Sequence, residues 1–122
     1  MKAILIVDDS EATRSLIRSA IEEISDVDTF EAATGFEALK ILPSQKFDLI
    51  MVDINMPDIN GLELINFVKN NELYKDIPVV IVSTESSEED RKRGIDLGAF
   101  AYLVKPFKAE VLQDTVKKAL NL

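Results

Sequence analysis

Asp8 and Asp9 directly follow the apolar run 3–7, Asp53 follows 48–52, Ser83 and Thr84 follow 78–82, and Lys105 follows 101–104. If each run is a strand of one parallel sheet, three carboxylates, two hydroxyls and an ammonium converge on a single crevice at the strand ends. Neighbouring strands lie about 4.8 Å apart. Carboxylates at adjacent ends then lie about 5 Å from one another, and each ionised pair repels by roughly 3 kcal/mol at an effective dielectric of about 20. Three such pairs cost about 10 kcal/mol. Either a cation offsets that charge or one carboxylate holds a proton. The chain has no His and no Cys, so the donors are oxygens, which select a hard divalent cation. A site with few protein ligands suits Mg²⁺, which keeps waters and shares phosphate oxygens. Such an ion bridges a phosphoryl oxygen and a carboxylate, while Lys105 meets another oxygen and Ser83 donates to a third. That is a phosphoryl-transfer site with a carboxylate nucleophile. Each residue taken singly is better explained as a helix cap or turn former; their joint placement carries the reading.

The elements that must position these groups are five short apolar runs, 3–7, 26–32, 48–52, 78–82 and 101–104, alternating with five segments of helical period. Runs that are apolar at every position suit central strands covered on both faces. The second run carries Asp28 and Glu31, which suits an edge. Leu16, Ile17, Ala20, Ile21 and Ile24 form the apolar stripe of the first helix. Thr34-Gly35-Phe36-Glu37 and Ser86-Ser87-Glu88-Glu89 read as capping boxes for the second and fourth helices. Leu62, Leu64, Ile65 and Val68 give the third helix its core side, and Val111, Leu112, Val116, Ala119 and Leu120 give the fifth. The fourth helix is the weakest and is expected to be the most mobile. It has few apolar residues, an internal Gly94 worth about 1 kcal/mol against Ala, and Gly98 as its stop. The pattern is a (βα)5 α/β domain with a doubly wound parallel sheet and right-handed crossovers.

At 122 residues the chain fills one domain. A net charge of −8 repels nucleic acid and anionic membrane, so no nucleic-acid partner is expected. The absence of Cys excludes disulfides and thiol chemistry, and the absence of His excludes His-based triads. The N-terminal apolar run is too short for a signal peptide, and no stretch reaches transmembrane length. No membrane insertion and a cytoplasmic location are therefore expected.

The segments VDDS (7–10), DINMPDINGLEL (53–64), PVVIVST (78–84) and GAFAYLVKPF (98–107) together resemble the response-regulator receiver domains, stand-alone chemotaxis-type receivers most of all. The likeness covers essentially the whole chain. It implies a flavodoxin-like sheet of strand order 2-1-3-4-5, with residues 1–122 as one receiver domain lacking an output domain. It implies Asp53 as phosphoacceptor, and Mg²⁺ held by Asp8, Asp9, Asp53 and the backbone carbonyl of Asn55. Asp9 is then the direct ligand, and Asp8 acts through water. By the same resemblance Lys105 binds the phosphoryl group, the bond before Pro106 is cis, Ser83 is the switch hydroxyl and Tyr102 the switch aromatic. From its sequence alone Tyr102 is equally a core residue of its strand. Thr84 departs from the small residue usual after the switch hydroxyl and adds bulk over the entrance to the site. Ser83 replaces the more usual Thr.

The implied partners are a histidine kinase or histidine phosphotransfer protein and a downstream target. The target meets the face formed by helix 4, strand 5 and helix 5. Arg91, Lys92, Arg93 and Lys108 on that face read either as solvated helix surface or as a match for an acidic partner. The implied state is a monomer or a phosphorylation-dependent dimer, and the only catalysis is the chain's own phosphorylation and dephosphorylation. A degenerate receiver acting as a constitutive binding module and a phosphorelay intermediate remain alternatives. A flavin-binding protein of the same fold needs a Ser/Thr/Gly loop where this chain has Asp8-Asp9. A haloacid-dehalogenase-type phosphatase needs Asp-x-Asp, and the acids here are adjacent. An EF-hand loop at 53–61 fails because Pro57 stands at its fifth position and no Glu at its twelfth.

Overall fold

The structure, a computed structural model, describes all 122 residues. The apolar runs form β1 (Lys2–Val7), β2 (Val27–Ala32), β3 (Leu49–Val52), β4 (Val79–Ser83) and β5 (Ala101–Val104). Between and after them run α1 (Glu11–Glu22), α2 (Gly35–Ile41), α3 (Gly61–Lys69), α4 (Glu88–Asp96) and α5 (Ala109–Leu120). A 3-10 turn at Leu42–Ser44 extends α2. All strand pairs are parallel, in the order β2-β1-β3-β4-β5. The charged second strand is at an edge, as its Asp28 and Glu31 suggest.

Side chains alternate across each strand, which divides the core into two layers. Ile4, Ile6, Leu49, Met51, Val80 and Val82 face α1 and α5, meeting Ile17, Ile21, Leu112 and Val116. Leu5, Val7, Ile50, Val52, Val79 and Ile81 face the other helices, meeting Ala38, Leu64, Ile65 and Val68. β1, β3 and β4 are inaccessible over nearly their whole length. Each fully buried Ile or Leu contributes roughly 2 kcal/mol, so the centre of the sheet is a rigid base for whatever follows its strand ends.

Several local expectations need correction. Leu16 and Val111 are 65% and 48% exposed, so the core stripes of α1 and α5 are narrower than their periodicity implies. Leu62 is only partly buried, against the edge of the core. The α2 start has half a capping box, with Thr34 accepting from the Glu37 amide. The α4 cap is Ser87, which accepts from Asp90 N–H, one position beyond the expected start. A complete box lies at α3 instead, between Asn60 and Glu63.

Gly94 is the only buried residue of α4. A Cβ there would stand 2.5 Å from Ile81 Cδ1 and 3.3 Å from the Tyr102 ring. The residue that weakens the isolated helix therefore lets it dock closely on β4 and β5. Gly98 ends the segment at φ +109°, the left-handed region that glycine supplies without strain.

Candidate functional site

The site is a continuation of the sheet. Asp8 N–H donates to the Ala32 carbonyl at 3.1 Å, Asp53 N–H to Val7 at 3.0 Å, and Lys105 N–H to Ser83 at 2.8 Å. Strand pairing thus extends one residue into each chemical group and fixes it relative to its neighbour. The α3 N-terminus closes the floor: Gly61 N–H donates to the Ile54 carbonyl at 2.9 Å. A Cβ on Gly61 would stand 2.3 Å from the Asp53 carbonyl oxygen.

Asp8, Asp9 and Asp53 present carboxylate oxygens that all lie within 4.8 Å of one another, close to the spacing expected from strand geometry. Asp8 and Asp53 are buried, whereas Asp9 is exposed. Lys105 Nζ lies 2.9 Å from Asp8 Oδ2 and 3.4 Å from Asp53 Oδ2. Asp8 Oδ1 also accepts from Ser10 N–H at 2.8 Å, so both of its oxygens are engaged. Asp53 Oδ1 accepts from Asn55 N–H at 3.2 Å. Burial pushes the Asp53 carboxyl above the ordinary aspartate value; Lys105 opposes this, the Asp8 charge adds to it, and the Asn55 amide opposes it. Three carboxylates face a single ammonium, which leaves net negative charge at the strand ends. The deficit and the all-oxygen donor set fit a hard divalent cation. Asp9 and the Asn55 carbonyl make no hydrogen bond within the protein and can turn to such an ion.

Ser83 is fully buried at the end of β4, and its Oγ accepts from Glu85 N–H at 3.1 Å. Thr84 is exposed beside it. With Thr13, Leu16, Lys105, Pro106 and Phe107, Thr84 lines a cavity of about 340 Å³ on the α1 side of the site. The Lys105–Pro106 bond is cis. Tyr102 is buried, and its hydroxyl donates to the Glu85 carbonyl at 2.7 Å. Burial pushes its phenol pKa upward. Arg91 of α4 lies over the Tyr102 ring, 5.4 Å from its centroid, so Tyr102 is both a core residue and a link from the site to α4.

The basic face is less basic than its sequence. Lys92 pairs with Asp96 at 3.0 Å and Arg93 with Glu89 at 3.4 Å, within α4 itself. Glu85 was not among the expected site residues. It joins three of them, since its side chain accepts from Asn55 Nδ2 at 3.1 Å and its backbone meets Ser83 and Tyr102. Its two backbone contacts carry no side-chain signature, which is why sequence reading misses it. Asp58 was also missed: its carboxylate accepts from Gly35 N–H at 3.1 Å and Phe36 N–H at 2.9 Å, tying the β3–α3 loop to α2.

Residues 4–117 match the model of the response regulator receiver domain family. The chain is 36% identical over 115 residues to the chemotaxis protein CheY of Pseudomonas aeruginosa, covering 94% of this chain and 93% of that protein. Among solved structures, CheY4 of Vibrio cholerae superposes with a TM-score of 0.89 at 35% identity, covering 98% of this chain and 99% of that one. The Mn²⁺-bound form of the response regulator Rcp1 superposes with a TM-score of 0.88 at 27% identity, covering 98% and 95%. Sheet order, the acidic crevice at its topological switch and these matches lead to one conclusion: the chain belongs to the response regulator receiver domains and is a CheY-like receiver of two-component signalling.

Proposed function

We propose that Asp53 is the phosphoacceptor, that Asp8, Asp9, Asp53 and the Asn55 carbonyl hold Mg²⁺, and that a phosphohistidine on a kinase or phosphotransfer protein is the donor. The observation that carries this reading is the meeting of three carboxylates within 4.8 Å, with Lys105 as the one ammonium among them, paired to Asp8 and Asp53. That the response regulator Rcp1, which shares this fold, has been solved in a Mn²⁺-bound form supports a divalent ion as the ligand. When bound, Mg²⁺ supplies charge neutralisation at the phosphoryl oxygens.

The chain's own groups do the rest. Asn55 N–H holds one Asp53 oxygen and leaves the other to attack phosphorus. The P–N bond to the donor imidazole breaks as the P–O bond to Asp53 forms, and the departing imidazole takes up a proton from solvent water. Lys105 exchanges a carboxylate contact for a phosphoryl oxygen, and the Ser83 hydroxyl donates to another. Drawing Ser83 inward loosens its bond to Glu85 N–H. The same residue's carbonyl holds Tyr102, so the shift reaches Arg91 and the α4–β5–α5 face. A target protein reads that face.

The cavity bordered by Leu16, Pro106, Phe107 and Thr84 opens beside Lys105 and offers apolar area for a docking donor. No helix is long and apolar enough to cross a membrane; a cytoplasmic, motility-type regulator with no reaction beyond its own phosphorylation fits best. Intact mass after incubation with a small phosphodonor tests the reading. Wild type should gain one phosphoryl mass only with Mg²⁺, and Asp53→Asn none. No gain from that donor or from a panel of histidine kinases leaves a constitutive binding module.

A further inference from the structure

Arg14 stands one turn into α1, and side chains on a helix lean back toward its N-terminus. Its guanidinium therefore returns to the loop that starts the helix. Nη1 donates to the Asp8 backbone carbonyl at 2.6 Å, while Nε pairs with Glu31 Oε1 of β2 at 3.0 Å. The side chain is only 15% exposed. Arg18, one turn further on, reaches the other oxygen of the same Glu31 but makes no contact with Asp8. Glu31 is thus shared by two arginines, of which only Arg14 touches the acidic loop.

This matters because little else holds Asp9. Asp8 is fixed by the hydrogen bond its backbone N–H donates to the Ala32 carbonyl, by the Ser10 N–H on its carboxylate and by Lys105. The Asp9 side chain makes no hydrogen bond or ion pair in the protein, so its direction depends on the plane of the Asp8–Asp9 peptide. Arg14 grips the oxygen of that peptide. We infer that Arg14, braced by Glu31, is a positioning residue that orients the Asp8–Asp9 peptide and so presents Asp9 to the divalent cation. The inference rests on the metal-site reading proposed above.

The sign of the effect separates positioning from charge. Removing a cation near a Mg²⁺ site strengthens Mg²⁺ binding by Coulomb's law, whereas loss of orientation weakens it. Mg²⁺ affinity of the unphosphorylated full chain is measured by titration calorimetry on wild type, Arg14→Gln, Arg14→Lys, Arg18→Gln and the double variant Arg14→Gln/Glu31→Gln. Each is assayed at a temperature where circular dichroism shows it folded. Arg14→Gln is expected to weaken Mg²⁺ by about tenfold, in the range for outer-shell partners of metal ligands. Arg14→Lys, which keeps the charge and loses the two-ended fork, should fall between it and wild type and carries the test if Arg14→Gln does not fold. Arg18→Gln should bind as wild type does, and adding Glu31→Gln to Arg14→Gln should produce no further loss. An unchanged or tighter constant in the Arg14 variants overturns the inference, as does equal weakening in Arg18→Gln. Failure of wild type itself to bind Mg²⁺ overturns the underlying metal-site reading and this inference with it.

Discussion

Asp53→Asn should make the metal-free protein more stable. The Asp53 carboxylate lies within 4.8 Å of those of Asp8 and Asp9 and 3.4 Å from Lys105 Nζ. At an effective dielectric of about 20, the Asp8 repulsion is roughly 3.5 kcal/mol and the Lys105 attraction about 5 kcal/mol. Asp9 is exposed, and solvent reduces its share to about 1 kcal/mol. These contributions nearly cancel, which leaves desolvation of a carboxylate only 6% exposed to decide the balance. Burial is also the leading cause of its raised pKa. Neutralising the group with an amide of the same shape should therefore add about 1–2 kcal/mol, or roughly 3–8 °C in Tm for a domain of this size.

The pH dependence follows from the same sign. A carboxyl whose pKa is raised on folding favours the fold below its unfolded value, and that contribution is lost as pH rises through the folded value. The gap between variant and wild type should open as pH rises through the carboxylate range. Mg²⁺ should invert the order, because wild type at a hundred times its dissociation constant gains about 2.7 kcal/mol and the variant gains little. Differential scanning calorimetry in EDTA and in Mg²⁺ measures both. A variant less stable than wild type in EDTA would refute the electrostatic account.

Gly61→Ala should destabilise the fold by about 3 kcal/mol in urea titration, because its new Cβ meets the backbone of Asp53 and Ile54, which cannot yield as a side-chain tip can; a loss within experimental error contradicts that packing. Asp58→Asn should lower stability at neutral pH and converge on wild type in acid. The N–H donors of α2, Phe36 first, hold the Asp58 pKa below its ordinary 3.8, so the stability it contributes is present above that value and lost as pH falls through the folded one; a difference independent of pH would exclude the clasp. Thr84→Ala should shorten the lifetime of the phosphorylated protein about threefold, equivalent to about 0.7 kcal/mol of barrier, as followed by the decay of phosphoprotein mass; an unchanged lifetime removes Thr84 as a shield.

The strands were legible because apolar runs bounded by acidic or polar residues have few other uses, and the convergence of Asp8, Asp9, Asp53, Ser83 and Lys105 follows from strand order alone. Burial within helices was less legible. Leu16 and Val111 match the helical period, but how far a core stripe extends around a helix depends on the neighbour packed against it. Gly94 shows the same gap from the other side, since propensity registers its cost and not the close approach to Ile81 and Tyr102 that it permits. Glu31 reads as an edge-strand charge until the fold places it opposite Arg14 and Arg18. Glu85 acts largely through its backbone, and backbone hydrogen bonds between loops leave no trace in residue type. Sequence therefore reveals groups whose chemistry is in the side chain and hides those that work by connection.

The central claim concerns one atom, the Asp53 carboxylate oxygen that takes the phosphoryl group. Borohydride reduces an acyl phosphate to the alcohol, which converts the modified aspartate to homoserine at its position in the chain. Protein phosphorylated in Mg²⁺, reduced and mapped by tandem mass spectrometry should carry homoserine at residue 53 and nowhere else, with none when Mg²⁺ is withheld. Homoserine at Asp8 or Asp9, or reduction that occurs equally without Mg²⁺, would contradict Asp53 as the acceptor and the neighbouring carboxylates as ligands of the ion.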